Sequence, residues 1–421
     1  MSATKTTATA TATTTPSALG HLRILDLTRV LAGPWCAQNF ADLGAEVIKV
    51  ERPQTGDDTR AWGPPYLRDD AGNDTSEAAY YLAANRGKQS ITVDITQPHG
   101  QQIIRELVAS SDVVLENYKV GQLKKYGLDY ASLKAIKPDL VYCSITGFGQ
   151  TGPYAARPGY DFIVQGMGGF MSVTGERDAL PGGGPQKAGV AISDLMTGMY
   201  ASIAVLAALS HRDRTGEGQH IDMALLDVQV AMMANMATNY LASEQVPQRW
   251  GNAHPNIVPY QTFATVDGHI IIAAGNDRQY QKLVTAGERA DLADDPRFVT
   301  NPLRVQNRDA LVPLLCEMVA TKSRAQWITL LEAVGVPCGP INNLDEVFDN
   351  PQVVARGLRV DLPHPSGATV RLVGSPMRLS ATPPSYPCAP PTLGQQTTQI
   401  LRDVLGYTEA QISNLRDQKI I

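Results

Sequence analysis

One aspartate stands where a carboxylate could do chemistry. Asp194 follows a short apolar run and opens a long one, in GVAISDLMTGMYASIAVLAAL from Gly189 to Leu209. The second run is apolar almost all round, as a buried helix is. Gly198 and Ala201 leave room there for a neighbouring backbone. Ser193 and Asp194 fall where an N-cap belongs, so the plain expectation is a cap accepting a backbone N–H. The same place permits a sharper one. A carboxylate at a helix N-terminus is held ionised by the helix dipole, and an ionised carboxylate with a free oxygen is a possible covalent nucleophile.

Other residues offer weaker chemistry. Arg52 ends a strand, where open α/β sheets place ligand contacts. Asn85, Arg86 and Lys88 form a small cationic turn, most simply solvated charge. His254 lies in a loop of Gly, Asn and Pro, equally a surface histidine or a site residue. Gly166 to Gly184 is dense in glycine, as a flexible loop is and as a backbone closing on a ligand is. The five cysteines, Cys36, Cys143, Cys316, Cys338 and Cys388, are scattered. They suggest no disulfide framework and no metal site, and a reducing cytoplasmic setting.

The elements that must position these groups begin at Leu22. LRILDLT reads as a strand, WCAQNFADLGA as a helix and EVIKVER as a second strand, a β–α–β pattern that points to a parallel sheet. The loop between them carries Gly33 and Pro34 but no GxGxxG. A dinucleotide fingerprint is therefore absent, although a helix start after a strand still makes an anion site. Pro53 to Ala79 reads as a polar loop, and strands alternate with helices to Gly149. HIDMALLDVQVAMMANMATNYLA reads as a strand and one long helix, with Met223, Met232, Met233 and Met236 as core filler. After Trp250 the character changes to a smaller α+β region. Val353 to Ser380 reads as β-rich, followed by a Pro-rich connector and a last helical region.

The chain has 421 residues, enough for two or more domains, with 43% hydrophobic and 18% charged residues, as soluble globular proteins have. A net charge of -5 argues against nucleic acid. No 18 consecutive residues are all apolar, which argues against a membrane span. The first twenty residues are rich in Thr and Ala and read as a disordered tail.

Taken in order, LRILDLTRVLAGPWCAQNFADLGAEVIKVERPQTGDDTR, NRGKQSITVDI, DVVLENY, SITGFGQTGP, GYDFIVQGMGGFMSVTG, GVAISDLMTGMYA, TGEGQHIDMALLD and GVPCGPINNLDEVF resemble the class III CoA-transferases, the family of formyl-CoA and carnitine CoA-transferases. The resemblance covers essentially everything after residue 20. RVLAGP, GDDTRAWGPPY, YCSITGFGQTGP and RWGNAHPNIVPYQTF are most similar to the branch that uses succinyl-CoA and glutarate. Neighbouring relatives use malate, citramalate, itaconate or 3-sulfinopropionate.

The resemblance implies that Asp194 is the nucleophile, working through anhydride and aspartyl-CoA thioester intermediates, with CoA thioesters as substrates and no separate cofactor or metal. It implies CoA contacts at Leu31, Ala32, Arg52, Asn117, Lys125, Thr146, Gly147 and Phe148, with Arg86 and Lys88 as further phosphate candidates. Lys125 stands where formyl-CoA transferase has arginine, and the Lys and Tyr of that enzyme are absent around Thr146 and Phe148. Arg29 replaces a histidine there. It is expected to bind the distal carboxylate of a dicarboxylate, against the alternative of a structural ion pair. Tyr160 and His254 complete the substrate-site expectation.

The implied architecture is α/β: a Rossmann-like large domain with a parallel sheet plus a smaller α+β domain, in an intertwined cytoplasmic homodimer. The expected boundaries are a tail over 1–20, the large domain over 21–225 and a linker helix over 226–250. A small domain over 251–345 and a C-terminal segment over 346–421 that completes the large one follow. The nearest rival is an α-methylacyl-CoA racemase of the same fold. It would need a histidine where GYD has Tyr160. A non-catalytic acyl-CoA-binding protein is the rival from another class, and a nicotinamide oxidoreductase is weaker still.

Overall fold

The computed structural model describes residues 17–421, so most of the expected tail over residues 1–20 lies outside the described residues. The chain divides into two compact units. The larger takes the chain through Gly168, then Val190–Met232 and Arg356–Ile421. The smaller takes Gly169–Gly189 and Met233–Ala355.

The larger unit is built on six strands: β1 (Arg23–Asp26), β2 (Glu46–Glu51), β3 (Lys88–Thr92), β4 (Val113–Glu116), β5 (Val141–Thr146) and β6 (His220–Ala224). Their order is β3-β2-β1-β4-β5-β6 and every pairing is parallel. This is the Rossmann order, which reverses direction between β1 and β4. The inner strands carry apolar stretches, such as Ile24–Leu25 and Val113–Leu115, because both faces are covered. Alternate residues serve opposite faces. Ile24, Val47, Val113 and Val141 pack with Phe40, Ala201 and Val205. Leu25, Ile48, Val114 and Tyr142 pack with Ile103, Ile104 and Leu107.

The first face is covered by α1 (Ala32–Asp42) and the second by α2 (Pro98–Ala109). In α2, proline stands in the first turn, and Gly100, Ile103, Ile104, Leu107 and Val108 form the buried stripe, the spacing of an amphipathic helix. Two helices lead to the site, α3 (Asp161–Met167) and α4 (Ile192–Thr215), and α5 (Leu225–Ala231) follows β6. Gly198 of α4 lets the helix approach α1 closely. A Cβ there would stand 2.7 Å from the Ala32 carbonyl oxygen and 3.1 Å from Trp35.

By length and composition α4 could cross a membrane, contrary to the expectation drawn from single apolar runs. In this fold it is a core helix, with Ala201, Val205, Ala208 and Leu209 buried. Its opposite side exposes Tyr200, Ile203 and Leu206.

The C-terminal segment returns to the outer strand. Gln396 accepts from Ser90 N at 2.9 Å and Thr397 accepts from Thr92 N at 2.9 Å. The Ile420 carbonyl accepts from Asp94 N at 2.7 Å. These contacts cover the edge of β3, which would otherwise be open for pairing.

The smaller unit has a three-stranded antiparallel sheet, with β8 (Gly268–Ala273) between β7 (Tyr260–Thr265) and β9 (Cys338–Pro340). Its core gathers Phe263, Ile270, Ile272, Tyr280, Leu315 and Trp327. Trp327 is wholly buried and donates from Nε1 to the Val319 carbonyl at 2.8 Å, which satisfies its one polar group.

Several expectations need correction. The single long helix after β6 is two, Leu225–Ala231 and Ala234–Ser243, and the unit boundary falls at the break between Met232 and Met233. No linker helix over 226–250 exists as one element, and part of the glycine-rich stretch belongs to the smaller unit. Only Met223 of the four methionines packs against a core cluster. The polar loop over Pro53 to Ala79 contains a 3-10 turn, Asp58–Ala61, and a hairpin of Tyr66–Arg68 with Asp74–Ala78.

Candidate active site

Three loops leave the carboxyl ends of β1, β4 and β5, beside the point where strand order reverses. Open α/β sheets bind ligands there. They border a cavity of about 200 Å³ lined by Arg29, Leu31, Ala32, Asn117, Thr146, Gly147, Tyr160 and Asp194, together with Asp58, Lys119 and Arg157. The structure thus gathers Asp194 with seven of the other residues expected from the sequence.

Asp194 is not the cap of its helix. Ala191 occupies that position, and Asp194 is the third residue of α4. The capping is done from outside. Asp161 at the start of α3 accepts from Ser193 N at 2.8 Å and from Asp194 N at 3.2 Å. Its other oxygen accepts from Gln165 Nε2 at 2.6 Å. With those amides satisfied, the Asp194 carboxylate is left for other work. It is 8% exposed. Burial, then the neighbouring Asp161 carboxylate, pushes its pKa up to about 7. The helix terminus therefore does not hold this group firmly ionised, as the sequence suggested.

The loop after β1 is fixed by side chains. Asn117 accepts from Arg29 N at 3.0 Å and donates to the Arg29 carbonyl at 2.7 Å. Asp57 accepts from Val30 N at 3.2 Å. Val30 has φ 72, a conformation a β-branched residue holds only under constraint. Beneath it, Lys49 is wholly buried and donates to Asp57 and to the Thr28 carbonyl, both at 2.9 Å. Burial works against the Asp57 carboxylate, but Lys49 and the Thr59 amide outweigh it and hold its pKa at about 2.

Arg29 points its guanidinium at Asp58, 3.0 Å away, and lies 5.6 Å from the centre of the Tyr118 ring. It reaches the pocket already carrying a counter-ion. Arg86 and Lys88 are neither phosphate ligands nor a solvated turn. Arg86 is buried and holds Asp42 with two bonds of 2.8 and 2.6 Å. Lys88 is wholly buried on Asp26, Asn85 and the Pro34 carbonyl. Burial lowers its pKa to about 8 despite Asp26. Arg52 is absent from the pocket wall and borders a smaller cavity with Arg29, Lys49 and Tyr118. Lys125 is exposed on the 3-10 turn Leu123–Tyr126 and does not line the pocket. Phe148 does not line the pocket and is edge-on to Tyr154 at 5.7 Å. His254 belongs to the smaller unit, its ring 5.3 Å from that of Tyr260 and its Nδ1 accepting from Asn256 N.

Two glycines set the width of the pocket. A Cβ on Gly147 would lie 2.5 Å from Gly159 Cα and 2.9 Å from Gly159 N. Gly147→Ala should displace the loop bearing Arg157 and Tyr160 and lower kcat/KM on the order of 100-fold. A steady-state assay with a thermal melt checks this, and undiminished turnover in the variant refutes it.

Residues 19–397 match CoA-transferase family III. The chain belongs to that family. It is 51% identical over 386 residues to a succinate–glutarate CoA-transferase of Agrobacterium fabrum, covering 92% of this chain and 95% of that protein. It is 45% identical to a succinyl-CoA:glutarate CoA-transferase of Homo sapiens, covering 96% of this chain and 90% of the human one. A CAIB/BAIF family protein from Brucella suis, solved by crystallography, has a TM-score of 0.81 and 51% identity, covering 92% of this chain and 99% of that one. The chain is thus a class III CoA-transferase.

The sequence reading missed Asp161, Lys49, Asp57 and Arg157. Asp161 had a signal, since it ends GYD and opens FIVQGM, as acidic residues often open helices. Lys49 and Asp57 had none, because their pairing is tertiary.

Proposed function

We propose that this chain carries CoA from succinyl-CoA to glutarate, with Asp194 as the covalent relay. The observation that carries the reading is a carboxylate with no hydrogen-bond donor among the described residues, set in a pocket at the switch point of the sheet. The activities named for the Agrobacterium and human relatives support the choice of substrates.

In this reading an Asp194 oxygen attacks the succinyl thioester carbonyl. The C–S bond breaks, a mixed anhydride forms and CoA thiolate leaves. The thiolate attacks the Asp194 carbonyl, releases succinate and forms an aspartyl-CoA thioester. A glutarate carboxylate attacks that thioester, giving thiolate and a second anhydride. The thiolate then attacks the glutaryl carbonyl, and glutaryl-CoA and the Asp194 carboxylate result. Each step exchanges one activated acyl bond for another, so no ATP is consumed. Water must be kept from both anhydrides, and the burial of Asp194 suits that need. A homodimer is part of the proposal. The exposed apolar row Tyr200, Ile203 and Leu206 on α4 supports it, since such rows on helices mark contact surfaces.

The test incubates the protein with succinyl-CoA and, separately, glutarate, 3-sulfinopropionate, itaconate, malate and citramalate. New acyl-CoA is followed by chromatography, with Asp194→Ala as control. Glutaryl-CoA formed by the wild type and not by the control is the expected result. Transfer to another acceptor alone would refute glutarate, and transfer by the control would refute the relay.

A further inference from the structure

We infer that Arg157, rather than Arg29, is the residue that selects a dicarboxylate, by binding the distal carboxylate of the acyl group. This rests on the transferase reading above and names a determinant of its specificity. The pocket wall carries three cations, Arg29, Lys119 and Arg157, and two anions, Asp58 and Asp194. Asp58 is taken by Arg29 at 3.0 Å. Asp194 is the nucleophile. A succinyl or glutaryl group brings one more carboxylate into a site where burial, and then Asp161, already push the pKa of Asp194 up. A cation without a partner is needed to receive it.

Arg157 meets that need. Among the described residues no carboxylate pairs with it. Its guanidinium is held instead by aromatic faces, 4.6 Å from the Tyr154 ring centre and 5.5 Å from that of Phe148. The two rings brace one another edge-on, 5.7 Å apart. A guanidinium set over aromatic rings keeps its N–H fork available, and that fork matches a carboxylate with two parallel bonds. Lys119, the other unpaired cation of the wall, is a point charge on a flexible stem and has no such preference for a planar group.

Position along the chain adds a second argument. Arg157 and Asp161 lie on one short segment, with Tyr160 between them, and Asp161 accepts the backbone N–H of Asp194. The group that would read the far end of the substrate is therefore tied to the group that orients the nucleophile. Gly159, two residues from Arg157, lies directly against Gly147. Arg29 is the rival, because its Nε is buried with no partner.

The experiment compares wild type, Arg157→Gln, Arg157→Lys and Arg29→Gln. The acceptors are glutarate and pentanoate, in which a methyl group replaces the distal carboxylate. The donor is succinyl-CoA, with its 3′-dephospho form as a second arm. In Arg157→Gln, kcat/KM for glutarate should fall roughly 30- to 100-fold, chiefly in acceptor KM. Pentanoate should change less than about threefold. Arg157→Lys should recover part of the loss. Equal losses on both acceptors would overturn the proposal in favour of a structural role. A loss that vanishes with the dephospho donor would overturn it in favour of phosphate recognition. A glutarate-selective loss in Arg29→Gln, absent from Arg157→Gln, would return the role to Arg29. Wild-type protein that leaves glutarate unconverted would refute the glutarate reading on which this assignment rests. Conversion by wild type with Arg157→Gln unimpaired would refute this assignment alone.

Discussion

Asp194→Asn should abolish transfer and also yield a more stable protein, by a margin that grows with pH. The loss of activity follows from chemistry. In the proposed relay an amide cannot form the anhydride, and removing the proposed nucleophile costs on the order of 10⁴-fold or more. The stability gain follows from linkage. In the folded chain the Asp194 carboxyl has a pKa of about 7 against an ordinary 3.8. Below pH 3.8 it is protonated in both states and contributes no difference. As pH rises the unfolded chain ionises first, so the wild type loses stability until the folded group has also ionised. Above about pH 7 the deficit is constant and amounts to roughly 4 kcal/mol. Asparagine has no such deficit. Melting temperatures of both proteins at pH 4, 6 and 8 should diverge steadily, and a gap that does not depend on pH would sink the argument. Wild-type kcat/KM should rise with pH to a plateau, with its midpoint near 7.

Lys49→Met should be the most damaging single change beneath the site. Lys49 and Asp57 are both wholly buried as a pair. Methionine fills a similar volume but leaves Asp57 ionised, buried and without its main counter-charge, and it removes the donor to the Thr28 carbonyl. Breaking one side of a buried pair costs about 3–5 kcal/mol. The damage extends to function, because Asp57 also holds the Val30 amide in its strained conformation. Adding Asp57→Asn removes the stranded charge, so the double variant should be more stable than Lys49→Met alone. Urea midpoints for the two singles and the double form the cycle, and simple additivity would refute the coupling. Acid should find the same weak point. The fold favours ionised Asp57, so that contribution is present above about pH 4 and is lost as pH falls towards 2, a change absent from Asp57→Asn.

The sheet was legible because parallel strands buried on both faces keep short apolar stretches, as in the Ile24–Leu25 pair of RILD and the Val113–Leu115 stretch of VVLE. The pocket loops at Leu31, Asn117 and Thr146 were legible through the family resemblance, which fixes them to strand ends. What failed was charge. Arg86 looked like a surface residue, yet its partner Asp42 is 44 positions away. Lys49 alternates with valine and isoleucine in EVIKVE, which reads as an outward polar position and is instead buried. Asp161 acts on an amide 33 residues downstream. Local pattern carries no record of such pairings. The break at Met232 was hidden for a related reason, since helix-forming residues run straight through the boundary between units.

The returning C-terminal segment has a consequence for synthesis on the ribosome. Ser90 receives its partner from Gln396, 306 residues later. At typical elongation rates of about 5–20 residues per second, that interval lasts roughly 15 to 60 s. Throughout it the outer strand of the nascent sheet has one open edge, although its other neighbour has long since emerged. An edge left open that long can pair with another nascent chain. The last thirty residues therefore act as a closing clasp, and their arrival ends the interval in which that edge stands open.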